Sequence, residues 1–290
     1  YVRVFLPNQV FVRTHQNKFS LALNFNFNQW QNETGFKKFA SHFYNQTSFL
    51  IERRIRRDGS NFDLNPFSKN DDELIGLNTN FRNSLFFNRG KQYHSTTYSF
   101  LINETQNLLS VGSVAAKNQS HQLQYQHLVK KSWLFNFSGS TTSTESASEN
   151  YPNRNFEIES YQVEPKIGYL FSKNASWDIF YEFQQKENQI GAFETLKQTR
   201  LGTSFTFNSE KGFSMNGEFS MYNNSYDGNA LSAVGFQMLE GLQPGKNQTW
   251  RLLLQKNLTQ YLDVNINYQG RNSETSKTIH TGNIQLRAFF

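Results

Sequence analysis

Side chains two residues apart share the same chemistry over long stretches of this sequence, and that period admits few folds. From residue 262 to 269, Leu262, Val264, Ile266 and Tyr268 alternate with Asp263, Asn265, Asn267 and Gln269. Phe19, Leu21, Leu23, Phe25 and Phe27 alternate in the same way with Ser20, Ala22, Asn24, Asn26 and Asn28. Trp177, Ile179, Tyr181 and Phe183 do so with Asp178, Glu182 and Gln184. Successive side chains on a strand point to opposite faces, so each run reads as an amphipathic strand with one apolar and one polar face. The fold then turns on what meets the apolar face.

Composition argues against an ordinary packed interior. Hydrophobic residues make up 37% of 290, but 29 are Phe and 13 are Tyr. Aliphatic residues are sparse and Asn, Gln, Ser and Thr abundant, which suits coating a thin cylinder better than filling a core. No apolar run approaches the length of a membrane-spanning helix, and the mean hydropathy is −0.68, which excludes a helical membrane protein. Averaged hydropathy is nearly blind to membrane barrels, because half of each spanning strand is polar. With no cysteine, disulfides and thiolate metal sites are out of reach. The net charge of +6 is spread along the chain and suits phospholipid or lipopolysaccharide headgroups as well as it suits nucleic acid. The sequence starts at Tyr1 in mid-pattern and reads as the C-terminal part of a longer chain.

Strand-like segments fall at 1–13, 18–31, 36–57, 74–88, 92–105, 119–129, 133–144, 156–171, 175–188, 197–208, 212–224 and 247–257, followed by a closing pair on either side of 271–278. Tight turns near 32–35, 89–91, 130–132, 172–174, 209–211 and 258–259 alternate with longer connections at 58–73, 106–118, 145–155, 189–196, 225–246 and 271–278. A short polar turn at 14–17 is the exception. Strands of soluble sandwiches run to about five or six residues, roughly half the length of these. The expectation is an all-β fold, a closed antiparallel up-and-down transmembrane β-barrel of about fourteen strands, occupying 1–290 as one domain. An even count puts both chain ends on the short-turn, periplasmic side, with the last strand sealing against 1–13.

The chain ends on Phe290 in phase with Ile284, Leu286 and Ala288, which resembles the C-terminal strand signal read by the outer-membrane assembly machinery. The run from Gly235 to Phe290 is similar to the C-terminal ends of large outer-membrane proteins of Bacteroidota. The resemblance implies an outer-membrane barrel. Its implied partners are that machinery, outer-membrane lipid and lipopolysaccharide, and other outer-membrane or periplasmic proteins.

On the polar face, Arg82, Lys166, Arg200, Arg251 and Arg287 are expected to meet Glu164, Asp178, Glu182, Glu218 and Asp263. Mixed signs suit an ion-pair network that rigidifies a narrow lumen, or a poorly selective pore. His280, near Ser273, Thr275 and Ser276, could supply a base beside a nucleophile, but no enzyme motif accompanies them and polar rim residues are expected anyway. No His pair has metal spacing, so neither a metal nor another cofactor is expected. The basic run from Glu52 to Arg57 reads better as a strand end in a headgroup layer than as a nucleic-acid interface. Segment 225–246 is either a plug or a partner-binding protrusion. A membrane anchor or scaffold subunit of an assembly for protein export, outer-membrane assembly or surface display is the expected role, with a passive channel for small solutes as the alternative and no enzyme activity.

Overall fold

The computed structural model describes residues 13–56, 65–68, 74–90, 93–110, 112–209, 212–259 and 261–288. The strands are β1 (Thr14–Asn26), β2 (Phe43–Arg56), β3 (Leu74–Phe87), β4 (His94–Leu109), β5 (Gly112–Val129), β6 (Trp133–Ser148) and β7 (Phe156–Ser172). They continue as β8 (Ala175–Asn188), β9 (Thr195–Ser209), β10 (Phe213–Asp227), β11 (Gly245–Thr259), β12 (Leu262–Ser273) and β13 (Ile279–Ala288). Among the described residues two short α-helices interrupt them, α1 (Phe36–Ala40) and α2 (Ala233–Leu239). All thirteen strands form one sheet in sequence order, each antiparallel to the next. This is the up-and-down meander that the turn pattern predicts, with thirteen strands among the described residues.

Several boundaries differ from the sequence reading. Thr14–Asn17 is not a turn: it opens β1, pairing with Arg56, Ile55, Arg54 and Arg53. Most of the predicted 106–118 loop is also strand, 106–109 ending β4 and 112–118 opening β5, with Gln106 opposite Ala115 and Asn107 opposite Val114. Thr14–Asn17 is polar on both faces, and in 106–118 the apolar residues come side by side (Leu108 with Leu109, Val114 with Ala115 and Ala116) rather than alternating, so in both places the two-residue period that marks a strand disappears while the backbone ladder continues. Conversely, 36–57 does not begin as strand. Gly35 takes φ +65°, which opens helix α1, and the expected tight turn at 32–35 is part of a longer connection, 27–42. The predicted first strand and the closing seam it would make lie outside the described residues, 1–12 wholly so, as does Phe290. β1 starts at the long-loop end and β13 finishes at the short-turn end, so the described strands do not by themselves bring both ends to one side.

Burial on the two faces is the reverse of a water-soluble sheet. Along β8, Trp177, Ile179, Tyr181 and Phe183 are 40–46% exposed, while Glu182, Gln184, Lys186 and Asn188 on the other face are buried. Phe180 is the apolar exception on the polar face, 5% exposed. It fits because its cross-strand neighbour is Gly202: a Cβ there would lie 2.2 Å from the Phe180 ring. A Gly202→Val substitution is expected to lower stability by about 1–3 kcal/mol through overpacking, checked by urea unfolding of the folded protein followed through tryptophan fluorescence.

Candidate functional site

The polar face of β7–β11 gathers most of the charged residues singled out in the sequence. Arg200 stands at the centre, and alternation along β9 aims it onto this face. Its Nη1 bonds the Glu182 carboxylate at 3.3 Å, its Nη2 pairs with Glu218, and its Nε donates to Ser220 Oγ at 3.1 Å. One guanidinium thus ties β8, β9 and β10 together. The ring of Phe180 lies 4.6 Å below it and that of Tyr222 5.4 Å away. Glu164 sits beside Glu182 on β7, Lys166 approaches the Phe180 ring at 5.8 Å, and Asp178 accepts from Ser204 at 3.3 Å.

The remaining predicted residues fall outside this knot. Arg251 is opposite Glu218 in register and Asp263 is opposite Arg287, yet neither couple closes an ion pair among the described residues. Arg82 lies far along the sheet on β3, opposite Ser48 and Leu101. The predicted network is therefore local to β7–β10 rather than continuous around the face.

Segment 225–246 folds onto the polar face. Ser232 caps α2 by accepting the Gly235 N–H at 2.9 Å, and the helix ends in the left-handed residue Glu240, φ +53°. Val234, Met238 and Leu239 pack on Ile158 of β7 and Leu196 of β9, the one apolar cluster on this face among the described residues. Polar ties finish the job: Lys186 Nζ donates to the Met238 carbonyl at 3.0 Å and pairs with Glu240. Asn224 donates to the Gln243 carbonyl at 3.0 Å, and Arg271 to the Gly241 carbonyl at 3.3 Å. Lys186 and the helix escaped the sequence reading, although the i, i+4 spacing of Val234 and Met238, with Leu239 beside it, is a legible helical signal. Beside the cap, a cavity of about 550 Å³ is lined by Glu218, Glu240, Thr249, Arg251, Gln269 and Arg271.

His280 and the nearby hydroxyls are not assembled for catalysis. Its Nδ1 is 2.8 Å from Tyr268 Oη and its ring 5.7 Å from that of Trp250, on the apolar face. Ser273 and Ser276 bond one another instead, at 2.6 Å. Among the described residues no three His, Asp or Glu side chains could jointly hold a metal ion. In the basic run, Arg53 is buried on the apolar face and donates to the Ser68 carbonyl, where Phe67 packs on Phe19 and Phe49. Arg54 and Arg56 take the polar face, which splits the run between two environments.

No protein-family model matches the chain, and no curated protein matches it in sequence. Among solved structures, CdiB from Acinetobacter baumannii is similar over 97% of this chain at 10% identity, with a TM-score of 0.45. The chain spans 55% of that protein's length. The translocator domain of the autotransporter NalP from Neisseria meningitidis is similar over 98% of this chain and 91% of its own, at 6% identity and TM-score 0.32. For the transport unit of the autotransporter AIDA-I from Escherichia coli the figures are 99%, 93%, 10% and 0.31.

Removing one partner from a buried ion pair strands the other charge and costs about 3–5 kcal/mol. Here Glu182 is buried but Arg200 is one-fifth and Glu218 nearly half exposed, so Arg200→Leu is expected to destabilise the protein by less, about 1–3 kcal/mol, and adding Glu182→Gln and Glu218→Gln to recover much of the loss; a denaturant-unfolding cycle measures both.

Proposed function

We propose that the chain is an outer-membrane β-barrel whose apolar face meets lipid, and that it serves as the anchor and scaffold subunit of a larger outer-membrane assembly. The inversion of burial on β8 carries the membrane reading: four large apolar side chains are left without protein cover while Glu182, Gln184 and Lys186 are buried. In water that arrangement wastes the hydrophobic effect; in lipid it is the stable one. Its lipid partners are phospholipid and lipopolysaccharide. The assembly machinery would engage the closing strand, where Ile284 and Leu286 are 68% and 65% exposed on the described edge of the sheet. No enzyme activity and no nucleic-acid partner form part of this reading.

The scaffold role, as opposed to transport, is supported by α2 and the Arg200 knot, which occupy the polar face where a solute would pass. Three experiments test the proposal. An arginine at Ile179 is expected to lower stability by about 2–4 kcal/mol in bilayers, read from unfolding in lipid vesicles; a neutral outcome would remove the lipid-facing reading. In planar bilayers the intact chain is expected to show no stable open level, and replacement of 229–243 by a short Gly-Ser linker to produce discrete conductance steps. The cavity beside α2 favours the second reading, a passive channel for small solutes, and a stable open level in the intact chain would select it. Recovery of the protein from native membranes without stoichiometric partners would overturn the scaffold role.

A further inference from the structure

Among the described residues, the connections at the two ends of the strands carry opposite charge. At the short-turn end stand Lys37, Lys38, Arg89, Lys130, Lys131 and Lys173, against Glu33, which is paired with Lys37 at 3.7 Å. At the other end, Glu149, Glu194, Glu240 and Glu274 outnumber Arg154 and Lys277. The basic end is densest where two turns adjoin, because the start of β6 pairs with the end of β7: Trp133 is opposite Tyr169, and the Leu170 N–H donates to the Ser132 carbonyl at 2.7 Å. Lys130 and Lys131 therefore neighbour Lys173.

Two further observations single out this spot. Lys130 and Lys131 both hold left-handed backbone, φ +49° and +61°, in a turn closed by the Ser132 N–H on the Val129 carbonyl. Turns with positive φ at both central positions favour Asn and Gly, so two lysines there are held at a conformational cost. Directly beside them on the apolar face runs an aromatic ladder. Trp133 and Tyr169 meet edge to face at 4.9 Å, and Tyr169 and Phe171 do so at 4.9 Å, with Trp133 45% and Phe171 58% exposed. Amphipathic rings on an apolar surface beside exposed ammonium groups match the boundary between acyl chain and phosphate.

We propose that Lys130, Lys131 and Lys173, together with Trp133, Tyr169 and Phe171, form a binding site for the phosphate of an anionic phospholipid headgroup. The inference rests on the lipid-facing reading above. The ammonium groups pair with the phosphate, and the rings cover the first acyl segments.

The test uses the full chain with Trp30, Trp177 and Trp250 changed to Phe, so that Trp133 alone reports. It is folded into bilayers containing brominated phosphatidylglycerol in a phosphatidylcholine background, or the reverse. Phosphatidylglycerol is expected to quench Trp133 preferentially, with the preference falling by about fivefold per lysine replaced with Gln and vanishing near 1 M salt. Lys130→Asn/Lys131→Gly is expected to raise the unfolding midpoint while lowering the preference by about 25-fold. Equal quenching by both lipids would overturn the site and leave the membrane reading standing; quenching by neither would overturn both. If the single-tryptophan protein does not fold, native mass spectrometry of the unaltered chain released from mixed micelles reads the same contrast. Retention of phosphatidylglycerol over phosphatidylcholine, lost in the triple Gln variant, supports the site, and equal retention overturns it.

Discussion

Backbone pairing is the condition on which the rest of this structure depends. From β2 to β12 every strand is flanked on both sides by its sequence neighbours, so the peptide groups of these strands are satisfied within the sheet. Unpaired peptide groups in an apolar medium cost several kcal/mol each, and no pattern of side chains could offset that across so many strands. Once the ladder is complete, the side chains are free to specialise by face. One face can then be left uncovered and apolar, and the other can hold charges at close quarters.

Those charges do work that an apolar core does elsewhere. Arg200 spans three strands by bonding Glu182, Glu218 and Ser220, and it can lie flat because Phe180 and Gly202 form a ring-on-glycine seat beneath it. A partly buried ion pair of this kind contributes little net stability compared with apolar packing, but Glu182, its buried carboxylate, is left stranded when the partner is removed. It thereby fixes register at the place where α2 must dock. The apolar cluster of Ile158, Leu196, Met238 and Leu239 supplies the helix with its small share of hydrophobic burial, and Lys186 uses the carbonyl of Met238 and the carboxylate of Glu240 to hold its end.

What the sequence made legible follows from the same division of faces. Strands with one apolar face were readable, and β8 and β10 match to within a few residues. Tracts without that alternation were not, which is why the all-polar Thr14–Asn17 read as turn and 106–118, whose apolar residues are adjacent rather than alternating, read as loop although 14–17, 106–109 and 112–118 are strand. Phe180 broke the alternation of β8 and carried no signal of its role, since its partner is the absence of a side chain at Gly202, two strand ends away in sequence. Of the predicted lumen residues, Glu164, Lys166, Asp178, Glu182, Arg200 and Glu218 share one neighbourhood, because their strands are consecutive. Arg82 does not, because face is written in a single strand whereas position around the sheet depends on the count of strands between.

A charged row on the apolar face also locates the edge of the apolar layer. On β5 the apolar face carries Leu123, Tyr125 and Val129 near the short-turn end, but Lys117 and Gln119 further along. Lys117 stands opposite Glu104 of β4 and Glu145 of β6, pairing with the latter at 3.6 Å. A row of charges across three strands cannot sit in hydrocarbon, where a central charge costs about 2–4 kcal/mol. On the lipid-facing reading this row therefore marks the water boundary, and the sheet from there to the long-loop end stands clear of the membrane. From Leu123 to Val129 at about 3.3 Å per residue the stretch of β5 that carries Leu123, Tyr125, His127 and Val129 runs roughly 20 Å along the strand, or about 15 Å of height at the ~40° tilt of membrane-barrel strands. Ladder pairing persists beyond it because the antiparallel neighbours are equally long, and on the same reading the extension raises the acidic loops clear of the lipid surface at their own end of the sheet.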